Sequence, residues 1–149
     1  MATKYADKAK TGAQARQVHA GAITVKAKYV FSDDAEDLSA GDVIQMVKVP
    51  HGAIIDDMTV FMGTVGDHKA VVTIGDGGSA TRFFGSASLS LTVGTAITMS
   101  DGFGYQYNLS DDAVPQWDTI DITIGTVTSS TATGTIVMIL SYHCDEADV

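Results

Sequence analysis

Residues 22–31 of the chain read AITVKAKYVF. Apolar side chains occupy every second position from Ile23 to Phe31, and polar side chains occupy most of the positions between them. Because side chains alternate between the two faces of a β-strand, this pattern predicts a strand with one buried face and one solvated face. It is the clearest strand signal in the sequence and indicates a β-protein.

Further strands of about 5–10 residues are predicted on the C-terminal side of this stretch. They cover residues 43–49, 53–62, 70–74, 81–91, 96–99, 103–109, 118–127 and 134–143. Turns rich in glycine, aspartate and serine separate them, and no segment combines a helical period with a helix cap. Many short strands with frequent turns predict an all-β fold. The expected architecture is an antiparallel β-sandwich, a jelly roll of about eight strands.

Two connections in the chain predict strand pairs. Pro50–His51–Gly52 separates strands 43–49 and 53–62, and it indicates a turn because proline removes a backbone donor and glycine tolerates a positive φ. We expect these two strands to form an up-and-down pair. Polar residues 128–133 join the last two strands, which we expect to form a C-terminal hairpin.

The first 20 residues, MATKYADKAKTGAQARQVHA, contain few apolar side chains and no sustained period of either kind. Such a segment cannot bury enough surface to offset its ordering entropy. We therefore predict an extended N-terminal arm over residues 1–20 that orders on contact with a partner, with an inert tail as the alternative. Residues 21–149 have the length of a single β-sandwich domain.

Charge is distributed unevenly along the chain, whose formal net charge is −9. Residues 1–28 contain six basic residues and one acidic residue, a net charge of +5, whereas the remaining 121 residues contain three basic and seventeen acidic residues, a net charge of −14. An acidic body repels nucleic acid, so a nucleic-acid partner is not expected. The basic segment is expected to bind an acidic protein surface. Its basic residues are Lys4, Lys8, Lys10, Arg16, Lys26 and Lys28.

The sequence argues against a membrane protein and a disulfide framework. The longest apolar run, Ile136–Leu140, falls far short of the ~20 residues that span a bilayer. The N-terminus lacks the apolar region of a secretion signal, and the only cysteine, Cys144, has no partner in the chain. We expect a protein that is made in a reducing cytoplasm and has no membrane partner.

No residue pattern points to catalysis or to a cofactor. The four histidines stand apart in the sequence, and the glycine-rich residues 75–79 lack the lysine of a phosphate-binding loop. The acidic residues 33–37 lack the ligand spacing of a calcium loop, although a cation at a subunit contact stays open as an alternative. We therefore expect no enzyme activity, no cofactor and no metal ligand.

Trp117 is the one aromatic residue singled out as a candidate contact. It follows Pro115 in the predicted loop before strand 118–127. Tryptophan is a rigid anchor at protein interfaces, and exposed tryptophan also serves as a stacking platform for sugars in β-sandwich proteins. Trp117 is expected to be a core or interface anchor, with the sugar platform as the alternative.

Several passages together resemble a group of small virion proteins of tailed bacteriophages. The most specific is DVIQMVKVPHGAIIDDMTVFM, in which Gly41–Asp42–Val43–Ile44 leads through Val49–Pro50–His51–Gly52 into a second strand. The start MATKYAD, the strand AITVKAKYVF and the last two strands, ending in Leu140–Ser141–Tyr142–His143, also match this layout. The similarity extends from Ile23 to His143.

The resemblance implies a capsid decoration, or cement, protein with a jelly-roll fold. Such a protein is commonly a homotrimer that binds the major capsid protein on the virion exterior and stabilises neighbouring capsomers. The resemblance carries over no catalytic residue. One alternative is a receptor- or carbohydrate-binding sandwich of a phage head fibre or tail, in which Trp117 contacts a glycan. An enzyme of the cupin type is the other, but the clustered histidines of its metal site are missing.

Overall fold

The computed structural model describes residues 3–5, 22–31, 39–64, 70–89, 96–108, 117–127 and 134–144. Nine strands in two sheets account for most of these residues. Their bounds are β1 Thr3–Tyr5, β2 Ile23–Val30, β3 Val43–Pro50, β4 Ala53–Thr64, β5 Ala70–Asp76, β6 Phe84–Leu89, β7 Ala96–Thr98, β8 Trp117–Val127 and β9 Thr135–Cys144.

The strand order confirms the predicted jelly roll. The five-stranded sheet has the order β1-β3-β8-β5-β6, and the four-stranded sheet has the order β2-β9-β4-β7. From β2 onward the strands pair from the two ends inward, and every such pair is antiparallel. β2 pairs with β9, β3 with β8, β4 with β7 and β5 with β6. The chain therefore behaves as one long hairpin wrapped into two facing sheets, which is the jelly-roll arrangement.

The core lies between the two sheets and is built from the alternating positions of each strand. On β8, Ile120, Ile122 and Ile124 are buried and belong to the core, so the residues between them point to the outer face of their sheet. On β2 the buried residues are Ala27 and Tyr29, at the alternate positions that the sequence predicted. The two faces of the sandwich thus follow from the period of two in the sequence.

The two predicted strand pairs are wrong in their partners, although their strands exist. β3 belongs to the five-stranded sheet and β4 to the four-stranded sheet, so the Pro50–His51–Gly52 turn leads the chain across the sandwich. Gly52 adopts a φ of 80° at this corner. β8 and β9 likewise lie in different sheets. A short turn fixes where a strand ends, but pairing is decided by which neighbour completes the buried face.

Residues 103–109 do not form the predicted strand as far as the structure describes them. Only an isolated bridge joins Gln106 to Ile54, and the backbone of Tyr105 and Tyr107 bonds along β4 beyond the end of β7. Phe103, within the range of the predicted strand, is 60% exposed. The positive φ angles of Gly102 and Gly104, 73° and 72°, turn the backbone on both sides of it.

The N-terminal segment contributes a strand that the sequence did not predict. Thr3–Tyr5 forms β1, which pairs in parallel with β3 at the edge of the five-stranded sheet. Part of the expected arm is therefore a sheet strand, while residues 6–21 lie outside the described residues. The boundary between an arm at 1–20 and a domain at 21–149 stays a prediction. A three-residue strand without an apolar alternation gives no sequence signal.

Candidate functional site

Two of the predicted contact residues, Lys26 and Lys28, are exposed side by side on β2. β2 is an edge strand of the four-stranded sheet, and its alternate residues Ala27 and Tyr29 enter the core. Both lysines therefore point away from the core. The structure brings these two residues together as a small basic surface at one edge of the sandwich.

The other basic residues of the N-terminal segment are placed differently. Lys4 lies in β1, at the edge of the five-stranded sheet, whereas Lys26 and Lys28 lie in the four-stranded sheet. Lys8, Lys10 and Arg16 fall outside the described residues. The role of all six as one binding site stays a prediction.

Trp117 is the first residue of β8 and lies half-buried beside Pro50 of β3. The Lys48 ammonium lies 4.2 Å from the centroid of its ring, a cation–π contact. One face of the indole is therefore occupied by a side chain of the same protein. The predicted roles of Trp117, a core or interface anchor or a sugar platform, stay predictions. Trp117 and the lysines of β2 lie in different sheets.

A carboxyl group that the sequence did not single out is buried on the outer face of the five-stranded sheet. Asp121 lies in β8 between its cross-strand partners Gln45 and Gly75 and is only 7% exposed. Burial raises the pKa of Asp121 to about 7, and the charges of the nearby carboxylates of Asp118 and Asp76 add to the rise. A hydrogen bond with Thr119 lowers the pKa and offsets part of this effect. Its Oδ1 is buried without a hydrogen-bond partner. Asp121 therefore keeps its proton to a higher pH in the folded protein than an exposed aspartate does.

Asp76, at the end of β5, is a buried carboxylate that accepts four hydrogen bonds. Its Oδ1 accepts hydrogen bonds from the backbone N–H groups of Gly78 and Ser79, at 3.0 and 2.8 Å. Its Oδ2 accepts hydrogen bonds from the Arg82 Nε–H and from the Tyr107 hydroxyl, the latter at 3.1 Å. One buried carboxylate thus holds its own turn, a cation and the neighbouring strand-like segment in place.

Aromatic rings complete this end of the sandwich. The Arg82 guanidinium lies 3.9 Å from the centroid of the Tyr105 ring, and Tyr105 makes edge-on contacts with Phe83 and Tyr107. Burial and the adjacent Asp76 carboxylate raise the pKa of Tyr107, so its hydroxyl stays a donor. All four hydrogen bonds of Asp76 are internal. The glycine-rich segment is therefore a structural turn whose N–H groups are already occupied by a carboxylate.

His143 and Cys144 are the last two residues of β9. His143 pairs with Asp56 across the outer face of the four-stranded sheet, with 2.8 Å between Nδ1 and Oδ1. Cys144 is buried at the end of β9, and burial raises the pKa of its thiol, which disfavours the thiolate. Among the described residues, no group of three or more histidine, cysteine, aspartate and glutamate side chains could hold a metal ion.

A membrane-spanning helix is likewise missing from the described ranges, where no helix is long and apolar enough to cross a bilayer.

Comparison with solved structures finds chains of the same fold in three phage capsids. A chain of the Ralstonia phage GP4 capsid is 13% identical with a TM-score of 0.72, and the match covers 96% of this chain and 98% of that one. A chain of the cyanophage Pam1 capsid asymmetric unit is 21% identical with a TM-score of 0.61, covering 89% and 96%. A chain of the acid-stable capsid of Helicobacter pylori bacteriophage KHP30 is 14% identical with a TM-score of 0.55, covering 85% and 90%.

These matches extend over nearly the whole of both chains, so the similar chains are about as short as this one. No protein-family model matches the sequence, and no curated protein matches it either. At these identities the likeness is one of fold. The chain is a jelly-roll sandwich of the kind found in small proteins within phage capsid structures.

Proposed function

We propose that this chain is a structural, non-enzymatic virion protein that binds the outer surface of a tailed-phage capsid and cements neighbouring capsomers. The proposal is supported by the jelly-roll fold and by end-to-end similarity to short chains from phage capsid structures. In this role the protein is made in the host cytoplasm and binds the major capsid protein at the virion exterior. It needs neither a cofactor nor a catalytic residue.

The observation that carries the proposal is the separation of charge. Lys26 and Lys28 are exposed on β2, directly after a basic N-terminal segment, while residues 29–149 carry a net charge of −14. A body of this charge stays soluble and repels its neighbours except where a basic surface meets an acidic partner. A single attachment surface on an otherwise repelling body suits a protein that coats another surface.

We further propose that the protein acts as a homotrimer. Edge strands expose unpaired backbone groups, and β6, β2 and β7 are edge strands of the two sheets. Closed symmetric assembly is a common way to protect such edges. Three copies would also triple the number of basic segments that contact the capsid, which raises the avidity of attachment.

Co-sedimentation with undecorated capsids tests the attachment. Deleting residues 1–20 would also remove β1, so the charges are neutralised in the full chain by Lys8→Gln, Lys10→Gln and Arg16→Gln together. The wild type is expected to bind saturably and to weaken as salt rises. The triple variant is expected to bind at least about 10-fold more weakly, since it loses three charges that face an acidic partner.

Lys48→Gln is the control for these charge changes because Lys48 lies on the other sheet, beside Trp117. It is expected to bind like the wild type. If the triple variant bound as tightly as the wild type at every salt concentration, attachment through the basic segment would be refuted.

A further inference from the structure

The four-stranded sheet carries apolar side chains on the face that points away from the core. β9 reads TIVMILSYHC, and its residues Ile136, Met138 and Leu140 are in the core. The residues between them, Val137 and Ile139, therefore point outward. Val137 is 5% exposed yet is not part of the core between the sheets. β9 is thus apolar on both faces along this part of its length.

Neighbouring strands extend this apolar surface in one direction and border it with charge in the other. On one side Phe61 of β4 is the cross-strand partner of Val137, and Phe61 is itself only half-buried. On the opposite side Lys28 is the partner of Val137, and Lys26 is the partner of Ile139. Cross-strand partners lie about 4.5–5.5 Å apart, so these side chains are in contact range. We call Phe61, Val137 and Ile139 the outer patch.

The position of the outer patch is unusual for a sandwich. The solvated face of an antiparallel sheet normally carries polar residues, because only the face toward the other sheet is packed. The same sheet follows that rule further along, where Thr24, Ser141 and Asp57 are cross-strand neighbours. The apolar residues are therefore confined to one end of the outer face, where Phe61 and Ile139 are half-buried and Val137 beside them is buried.

We propose that the outer patch, with Lys26 and Lys28 at its rim, is the surface that docks on the capsid. This inference rests on the proposed attachment to a capsid and names the site and the partner chemistry. The fitting partner is a protein surface with an apolar centre and acidic side chains on one side, which would pair with the two lysines.

Two observations favour such a partner over a second copy of this chain. The lysines at the rim belong to β2, whose residues directly follow the basic N-terminal segment in the sequence. Charge also favours an acidic partner over a second copy that meets this face with its own, because Lys26 and Lys28 of the two copies would then repel each other. Phe103, in contrast, follows β7 at the opposite edge of this sheet, where β9 and β4 lie between β7 and β2. It is exposed but has no lysine pair beside it on the same edge strand.

The test is a double variant, Phe61→Thr with Ile139→Thr, measured by titration against undecorated capsids. Threonine keeps the strand preference of these positions while removing most of their apolar surface. The expected result is a folded protein with a cooperative thermal transition and a capsid affinity at least about 10-fold weaker, since most of the apolar side-chain surface that the partner would cover is removed. Phe103→Thr is the matched control and is expected to bind like the wild type.

A second variant does not touch the packing at all. Lys26→Gln with Lys28→Gln changes only exposed side chains, and it is expected to flatten the salt dependence of capsid binding. This result supports the docking surface even if the threonine variant fails to fold.

The outcomes separate this inference from the proposed function. If the wild type does not bind capsids, both are refuted. If the wild type binds and both double variants bind equally well, or if Phe103→Thr is the variant that weakens binding, the outer patch is not the docking surface. Light scattering of the same proteins tests whether a second copy of this chain covers the patch instead. In that case the threonine variant would lose self-association while its capsid affinity stayed unchanged. That result would overturn the inference.

Discussion

At the scale of single residues, Asp121 shows how a carboxyl group on an outer sheet face can oppose folding. The side chain is buried, its Oδ1 lacks a hydrogen-bond partner, and its pKa is raised to about 7 chiefly by that burial. An aspartate in an unfolded chain ionises near pH ~4. The folded state therefore holds the proton more tightly than the unfolded state between these two values. Stability contributed by this residue is present at low pH and is lost as the pH rises toward 7.

Asp121→Asn is expected to remove this pH dependence because an amide does not ionise. At pH 8 the variant should have a free energy of unfolding higher than the wild type by on the order of 2–4 kcal/mol, from about 1.36 kcal/mol per pKa unit. At pH 4 the two proteins should be nearly equal. Urea denaturation at both values measures the difference. A difference between variant and wild type that is the same at pH 4 and pH 8 would contradict the raised pKa.

The sequence predicted which residues lie in strands and turns better than it predicted which side chains contact each other. Asp76 belongs to a glycine-rich stretch that was correctly interpreted as a turn, but its bonds to Arg82 and Tyr107 join positions 6 and 31 residues away. No local pattern encodes such partners. Residues 103–109 were wrongly predicted as a strand because a period of two was counted without Gly102 and Gly104, which turn the chain on both sides of Phe103.

At the scale of structural elements, the end of β5 is held by a close approach between backbone segments. A Cβ atom at Gly75 would lie 2.0 Å from the Ser79 carbonyl oxygen and 2.4 Å from the Ala80 carbonyl carbon. The same Ser79 oxygen accepts hydrogen bonds from the backbone N–H groups of Asp76 and Arg82. The turn can therefore close on Asp76 only because residue 75 has no side chain.

Gly75→Ala is expected to destabilise the fold by about 2 kcal/mol or more, since the backbone around the turn must shift. Gly85→Ala in β6 is the matched control, because a Cβ there meets nothing within 4 Å and its φ lies outside the positive region. The control is expected to be neutral or slightly stabilising. Thermal denaturation of both variants measures this contrast. Equal effects of the two substitutions would show that the close approach is not a constraint.

Strands were predictable because their signal is local, whereas their partners were not. The bounds of β2, β3, β4, β8 and β9 lie close to the predicted ranges, since turn residues mark where most of these strands begin or end. Pairing depends on residues far apart in the chain, as between β2 and β9. The two strand pairs that the sequence predicted were wrong for this reason.

At the scale of the whole molecule, the fold class could be predicted from the many short strands in the sequence. The proposed docking surface could be identified only from the pairing register of those strands. The run Ile136–Leu140 stood out in the sequence only as too short for a membrane. The structure explains this run, because β9 lies between β2 and β4 and its alternate residues fall in the core and on the outer face. The basic residues of β2 then border an apolar patch. Charge and apolar surface thus converge on one side of the sandwich.

The central claim is that this side of the sandwich attaches the protein to the outside of a capsid. The most direct measurement is an electron cryomicroscopy reconstruction of undecorated capsids incubated with the purified chain, compared with the same capsids alone. The account predicts added density outside the shell, with the four-stranded sheet facing the capsid and the outer patch in contact with it. The absence of added density, or a sandwich bound with its five-stranded sheet toward the capsid, would contradict the account.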